Sequence, residues 1–132
     1  MDYVWWQKHI EEIRLVFAGE RFSTQQMPPE FRVTHCKFTS FGNSGAGALH
    51  AAIKAGAKKI IMLGFDCKHG PEGQRHWHGN HPRGLGNADV VGKWPKQFAH
   101  IHAVNHGCEI VNSSRETALL EFPLIALEQA LK

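Results

Sequence analysis

Apolar residues near the start of the chain recur at helical spacing, with Trp6, Ile10, Ile13 and Phe17 on one side and Lys8, Glu11, Glu12 and Arg14 on the other. This pattern predicts an amphipathic helix from Tyr3 to Phe17, closed by Gly19. Arg21 to Gln25 and Phe31 to Lys37 read as short strands, separated by Met27-Pro28-Pro29, where the prolines stop a helix and favour a turn. The central unit carries a stronger signal. Gly42-Asn43-Ser44-Gly45 precedes an alanine-rich helix from Ala46 to Ala55, Gly56 supplies the C-terminal cap, and Lys58 to Phe65 is a continuous β-branched and apolar run. Such a run suits a central strand of a parallel sheet with a helix laid over it. Its end at Gly64-Phe65-Asp66 then lies on the edge where such sheets place their functional loops.

From Cys67 to Asn87 neither period is present, and glycines recur between Pro71 and Pro82, which predicts one long loop. Asp89 opens a helix running to about Asn105 and ended by Gly107, and Cys108 to Val111 forms a short strand. A last helix is expected from Pro123 to Leu131, with proline in its first turn. Strands alternating with helices give an α/β fold, three-layered around a mainly parallel sheet, in a single domain spanning residues 1–132.

Composition narrows the function classes. The 132 residues are 42% hydrophobic and 20% charged, which excludes a disordered chain. No apolar run approaches a membrane span and the first residues carry no export signal, so a soluble, unexported, cytoplasmic protein without a membrane partner is expected. Three widely spaced cysteines exclude a disulfide framework and fit a reducing compartment. The net charge of +3 is scattered along the chain, so no nucleic-acid duplex is expected as a partner. Histidine is the anomaly: of ten, His69, His76, His78 and His81 fall in the long loop.

Three segments carry candidate chemistry. Asn43, Ser44 and Gly45 put backbone N–H groups and a hydroxyl at a helix N-terminus, which suits a phosphate, although plain helix capping explains the same residues. The segment Asp66-Cys67-Lys68-His69 and the run from Arg75 through His76-Trp77-His78-Gly79-Asn80-His81-Pro82 gather groups that ligate metals, move protons or bind phosphate. The histidines lack the helical i, i+4 spacing of a zinc site and have no paired thiols, so a metal would need the loop to fold back on itself. No tightly bound metal is expected. One histidine as a general base and Trp77 as a plug onto the core are the competing readings. Asn112 and Arg115, after the Cys108 to Val111 strand, lie on the same sheet edge as Asp66 if that strand and Lys58 to Phe65 are parallel. Arg115 has a fork suited to phosphate or carboxylate, or alternatively forms a surface ion pair with Glu116 or Glu121. Cys67 beside Asp66 is a candidate reactive thiol.

Together the Gly42 to Gly45 loop, the Lys58 to Asp66 strand, the Arg75 to Pro82 run, Asn112 to Arg115 and Phe122-Pro123 resemble a group of phage and prophage proteins. These are similar in turn to the Rossmann-like superfamily that includes bacterial lipooligosaccharide sialyltransferases and archaeal hydroxymethylpterin diphosphokinases. The resemblance spans roughly Phe41 to Glu128. It implies nucleotide contact at Asn43, Ser44 and Gly45, a site edge at Asp66, and His78 or His81 as catalytic base. Such relatives begin with a strand and a Gly-rich nucleotide loop, whereas Asp2-Tyr3-Val4-Trp5-Trp6 resembles a segment lying after that unit. The expectation is therefore a Rossmann-like domain truncated at its N-terminus, holding a nucleotide or nucleotide-sugar with reduced or absent glycosyltransferase-like activity. The alternative is a non-catalytic phage virion or assembly protein whose partner is another phage protein or a second copy of itself.

Overall fold

The computed structural model describes residues 3–76, 78–81 and 83–132, so the expected plug at Trp77 lies outside the described residues. Where the sequence predicts one domain, the chain divides into two compact units, Met1–Thr39 and Ser40–Lys132, each with its own core.

In the first unit, helix α1 (Tyr3–Val16) forms where the apolar period predicts it and buries Trp6 and Ile10. Met27 completes the core, with Ile13, Phe31 and Val33 packed around it. The strands shrink to β1 (Phe22–Ser23) and β2 (Thr34–His35), paired in parallel with Phe22 beside Thr34. A single 3-10 turn at Pro29–Phe31 lies between them, and Arg32 closes it in the left-handed region at φ 51°.

The second unit is an α/β arrangement built on a short parallel ladder. Helix α2 (Ser44–Lys54) turns Ala46 and Leu49 inward, and strand β3 (Lys59–Met62) follows the left-handed Gly56. Strand β4 (Glu109–Asn112) pairs with β3 in parallel, with Ile60 beside Ile110 and Met62 beside Asn112. An ion pair at 3.5 Å joins Lys59 to Glu109 across the same register. The core gathers Leu49, Met62, Phe98, Ile101, Ile110, Leu119 and Phe122, with Phe98, Ile101 and Leu119 at 2%, 0% and 0% exposure.

Three expectations are corrected. The predicted central strand at Lys58 to Phe65 is only four residues long and is hydrogen-bonded on one side among the described residues. Strand β4 holds the middle, with β3 on one flank and a parallel bridge from Asn112 to Leu124 on the other. That bridge also removes the helix expected from Pro123. Asn112 donates its backbone N–H to the Pro123 carbonyl at 2.9 Å and accepts from Ile125 N–H at 3.1 Å, so only α5 (Leu127–Ala130) is helical. The sheet competes for the same backbone groups and wins because an added strand satisfies both of them at the buried end of β4. The helix expected from Asp89 to Asn105 likewise starts late. Pro95 has no N–H to give to an upstream turn, so α3 (Trp94–Ala99) begins beside it, and α4 (Ile101–Val104) continues after a break at His100.

No helix among the described residues is long and apolar enough to cross a membrane.

Candidate functional site

The loops beyond the carboxyl ends of β3 and β4 are stitched to each other. Gly64 at φ 71° and Cys67 at φ 50° turn the chain after β3. Between them Phe65 N–H donates to the Ser114 hydroxyl at 2.8 Å, and the Thr117 hydroxyl donates to the Phe65 carbonyl at 2.7 Å. Ala118 N–H donates to the Asp66 carbonyl at 2.7 Å, and Lys68 pairs with Glu116 at 2.9 Å. Asp66 is held by its backbone while its carboxylate stays exposed.

Asn112 organises the second of these loops. Its side-chain carbonyl accepts from Ser114 N–H at 3.0 Å, and its amide donates to Thr117 Oγ1 and the Leu119 carbonyl, both at 3.3 Å. At 1% exposure this amide is used inside the protein, so the ligand contact expected of Asn112 becomes a structural task.

Opposite β3, the start of α2 is shaped by two glycines and a cap. Asn43 Oδ1 accepts from Gly45 N–H at 2.8 Å and Ala46 N–H at 3.3 Å, the capping alternative open at this position. Two orphan donors are thereby taken from any anion, leaving the exposed Ser44 hydroxyl as the accessible group. Gly45 allows close packing: a β-carbon there would lie 2.9 Å from Phe65 and 3.0 Å from Phe98. Gly42 supplies the left-handed turn at φ 79°.

These elements enclose a cavity of about 770 Å³ lined by residues 42–45, 64–68, 70, 74–76, 94 and 98. Of the predicted site residues, it brings together Asn43, Ser44, Gly45 and Asp66. A second cavity of about 980 Å³ takes Asn112 and Arg115. Gly64 and Asp66 line both. Arg115 is exposed and forms no ion pair with a described residue, because Glu116 pairs with Lys68 and Glu121 faces His102 at 3.7 Å.

Neither His78 nor His81, the expected bases, lines the 770 Å³ cavity; His76 does. The long loop folds back on itself through three ties: His69 Nε2 to the Ala88 carbonyl at 2.8 Å, the Arg75–Asp89 ion pair, and His81 N–H to Asn87 Oδ1 at 2.9 Å. Asp89, expected to open a helix, is spent on Arg75. The folding-back stacks the rings of His76 and His78 at 5.1 Å and sets His81 4.4 Å from His76. The condition set for a metal, that the loop fold back on itself, is thus met, with a turn at residues 70–73 helping to do the converging that a helix face would do. Burial, followed by the charges of His81, His78 and Arg75, holds His76 below the ordinary imidazole pKa, with Asp89 opposing them.

Cys67 is buried, and desolvation with the Asp66 carboxylate beside it pushes its thiol up to about 11. The reactive-thiol expectation is corrected, because a thiol that stays protonated is a poor nucleophile. His76 and Lys68 are the cavity groups that the sequence reading left unassigned. The signal for His76 was its place among the four histidines of the long loop.

Comparison of the chain with protein-family models, with curated proteins and with solved structures finds no match.

Proposed function

We propose that residues 40–132 form a three-layer, Rossmann-like domain that holds a phosphate-bearing ligand of the nucleotide or nucleotide-sugar class, with little or no transfer activity. The observation that carries this reading is the 770 Å³ cavity at the carboxyl edge of the parallel ladder. There the Ser44 hydroxyl, Lys68 and Arg75 offer donors to phosphate oxygens, and Phe65, Trp94 and Phe98 offer apolar surface to a base or sugar. The placement of the two expected bases supports low activity. His78 and His81 lie outside the cavity lining, and proton transfer needs the base within hydrogen-bond reach of the reacting group. The reading assigns the chain to a reducing cytoplasm, in keeping with its free thiols at Cys36, Cys67 and Cys108.

The scaffold alternative gains support from one feature: Asn43, Lys68 and Arg75 already have partners within the protein. Calorimetric titration with cytidine, guanosine and uridine diphosphates separates the two readings. The ligand reading expects a Kd on the order of 0.1–1 mM for at least one nucleotide, weakened several-fold in Ser44→Ala and Lys68→Ala, with donor-sugar hydrolysis near background. Absence of binding by all three nucleotides, or binding indifferent to both substitutions, refutes it and leaves the scaffold.

A further inference from the structure

His76, His78 and His81 form a cluster that the proposed phosphate chemistry does not use. One ring nitrogen from each lies within 4.8 Å of the other two. The ring centroids are 4.4 Å apart for His76 and His81, 5.0 Å for His78 and His81, and 5.1 Å for His76 and His78. Imidazoles repel one another when protonated and gain little from stacking when neutral, so gathering three of them needs a compensating partner.

A second observation points the same way. His76 Nε2 is buried and has no hydrogen-bond partner among the described residues. Leaving a buried polar atom unmet costs about 1–3 kcal/mol, and an imidazole nitrogen without a partner is able to donate its lone pair to a metal. The backbone around the cluster is already fixed by Arg75–Asp89 on one side and His81–Asn87 on the other. Part of the ordering entropy of a binding loop has thus been met before any ligand arrives.

We propose that His76, His78 and His81 form a binding site for one divalent transition-metal ion of the zinc class. Three imidazoles with no carboxylate among them favour Zn²⁺, Ni²⁺ or Cu²⁺ over Mg²⁺ or Ca²⁺, which select oxygen ligands. Bonds of about 2.0–2.1 Å to a tetrahedral ion set ligand nitrogens roughly 3.3 Å apart. Small ring rotations close the remaining gap, and His78 is the most exposed of the three rings. Three protein ligands leave a fourth position for water or an incoming donor. His76 also lines the 770 Å³ cavity, so the cluster adjoins it. The assignment stands on the histidines alone and does not depend on the nucleotide reading.

The test uses the full chain with any affinity tag removed. Zn²⁺ is titrated by calorimetry, and Co²⁺ is followed by its visible d–d absorption, which intensifies when the ion leaves octahedral water for a tetrahedral nitrogen site. One equivalent is expected to bind with a Kd in the micromolar range or tighter, and His78→Ala and His81→Ala each to weaken it at least ten-fold and abolish the intense Co²⁺ bands. His35→Ala and His106→Ala, at exposed positions outside the cluster, are expected to leave both signals unchanged. Far-UV circular dichroism checks folding, and His78→Gln, which keeps a polar side chain of similar reach, provides a second variant. Retention of one-equivalent binding in both His78→Gln and His81→Ala overturns the proposal, as does wild-type binding no tighter than that of the His78→Ala/His81→Ala double variant.

Discussion

Replacing Asn112 by alanine removes an amide whose three hydrogen bonds join the end of β4 to residues 114–119, at a position 1% exposed. Two of its partners, Ser114 N–H and the Leu119 carbonyl, are backbone groups that cannot be redesigned by a further substitution. Each typical bond contributes about 0.5–1.5 kcal/mol net, and each buried group left without a partner costs about 1–3 kcal/mol. The two contacts at 3.3 Å count toward the lower end. A loss of about 2–4 kcal/mol therefore follows, or a fall in Tm on the order of 10 °C. Urea denaturation followed by circular dichroism and tryptophan fluorescence measures it, with coincidence of the two probes as the check that one transition is being read. Thr117→Val removes the side-chain partner, together with the Thr117 hydroxyl's bonds to the Phe65 carbonyl and Leu119 N–H. Its double variant with Asn112→Ala should lose less than the two single losses added, because both remove the same bond. An Asn112→Ala protein within about 0.5 kcal/mol of wild type at unchanged m-value would refute the claim that this amide is a structural tie.

Gly45→Ala should destabilise by about 1–3 kcal/mol, because its β-carbon would meet Phe65 at 2.9 Å and Phe98 at 3.0 Å; stability unchanged in a thermal melt would contradict that packing. Leu119→Ala, at 0% exposure, should cost about 2–5 kcal/mol in the same denaturation assay. Cys67, raised from 9.0 to about 11, should react with iodoacetamide at pH 8 about 100-fold more slowly than an unshifted thiol, as read by mass spectrometry of the modified peptide. The sign for stability follows from that raised pKa: the contribution of Cys67 is full below pH 9 and is lost as pH rises towards 11, because the unfolded thiol ionises first. A melt series across that window on wild type and Cys67→Ala, in which the two lost stability in parallel, would contradict it.

Hydrophobic patterning reached the local elements because their causes are local. The period of Trp6, Ile10 and Ile13 predicts α1, the Asn43 cap and Gly56 bracket α2, and the run at Ile60-Ile61-Met62 predicts β3. The same reasoning put Ser44 and Asp66 on one sheet edge, and both line the 770 Å³ cavity. Parallel pairing of β3 with β4 was also legible, since a helix-length connection returns the chain to the same direction.

What only the tertiary structure decided were outcomes of competition between distant groups. Pro123 to Ala126 has the composition of a helix start, yet the unpaired backbone of Asn112 draws it into a bridge at Leu124, and no local propensity encodes that partner. Asn112 looked like a ligand residue from its place beyond a strand and became a buried tie because Thr117 and Leu119 fold over it. His76, His78 and His81 carry no periodic signal. Their convergence comes from an ion pair and two hydrogen bonds spanning the loop, Arg75 to Asp89, His81 to Asn87 and His69 to Ala88. A sequence specifies where a helix or strand is favoured through near-neighbour sterics, but the position of a loop side chain depends on which long-range bonds close, and those become visible only when the chain has folded.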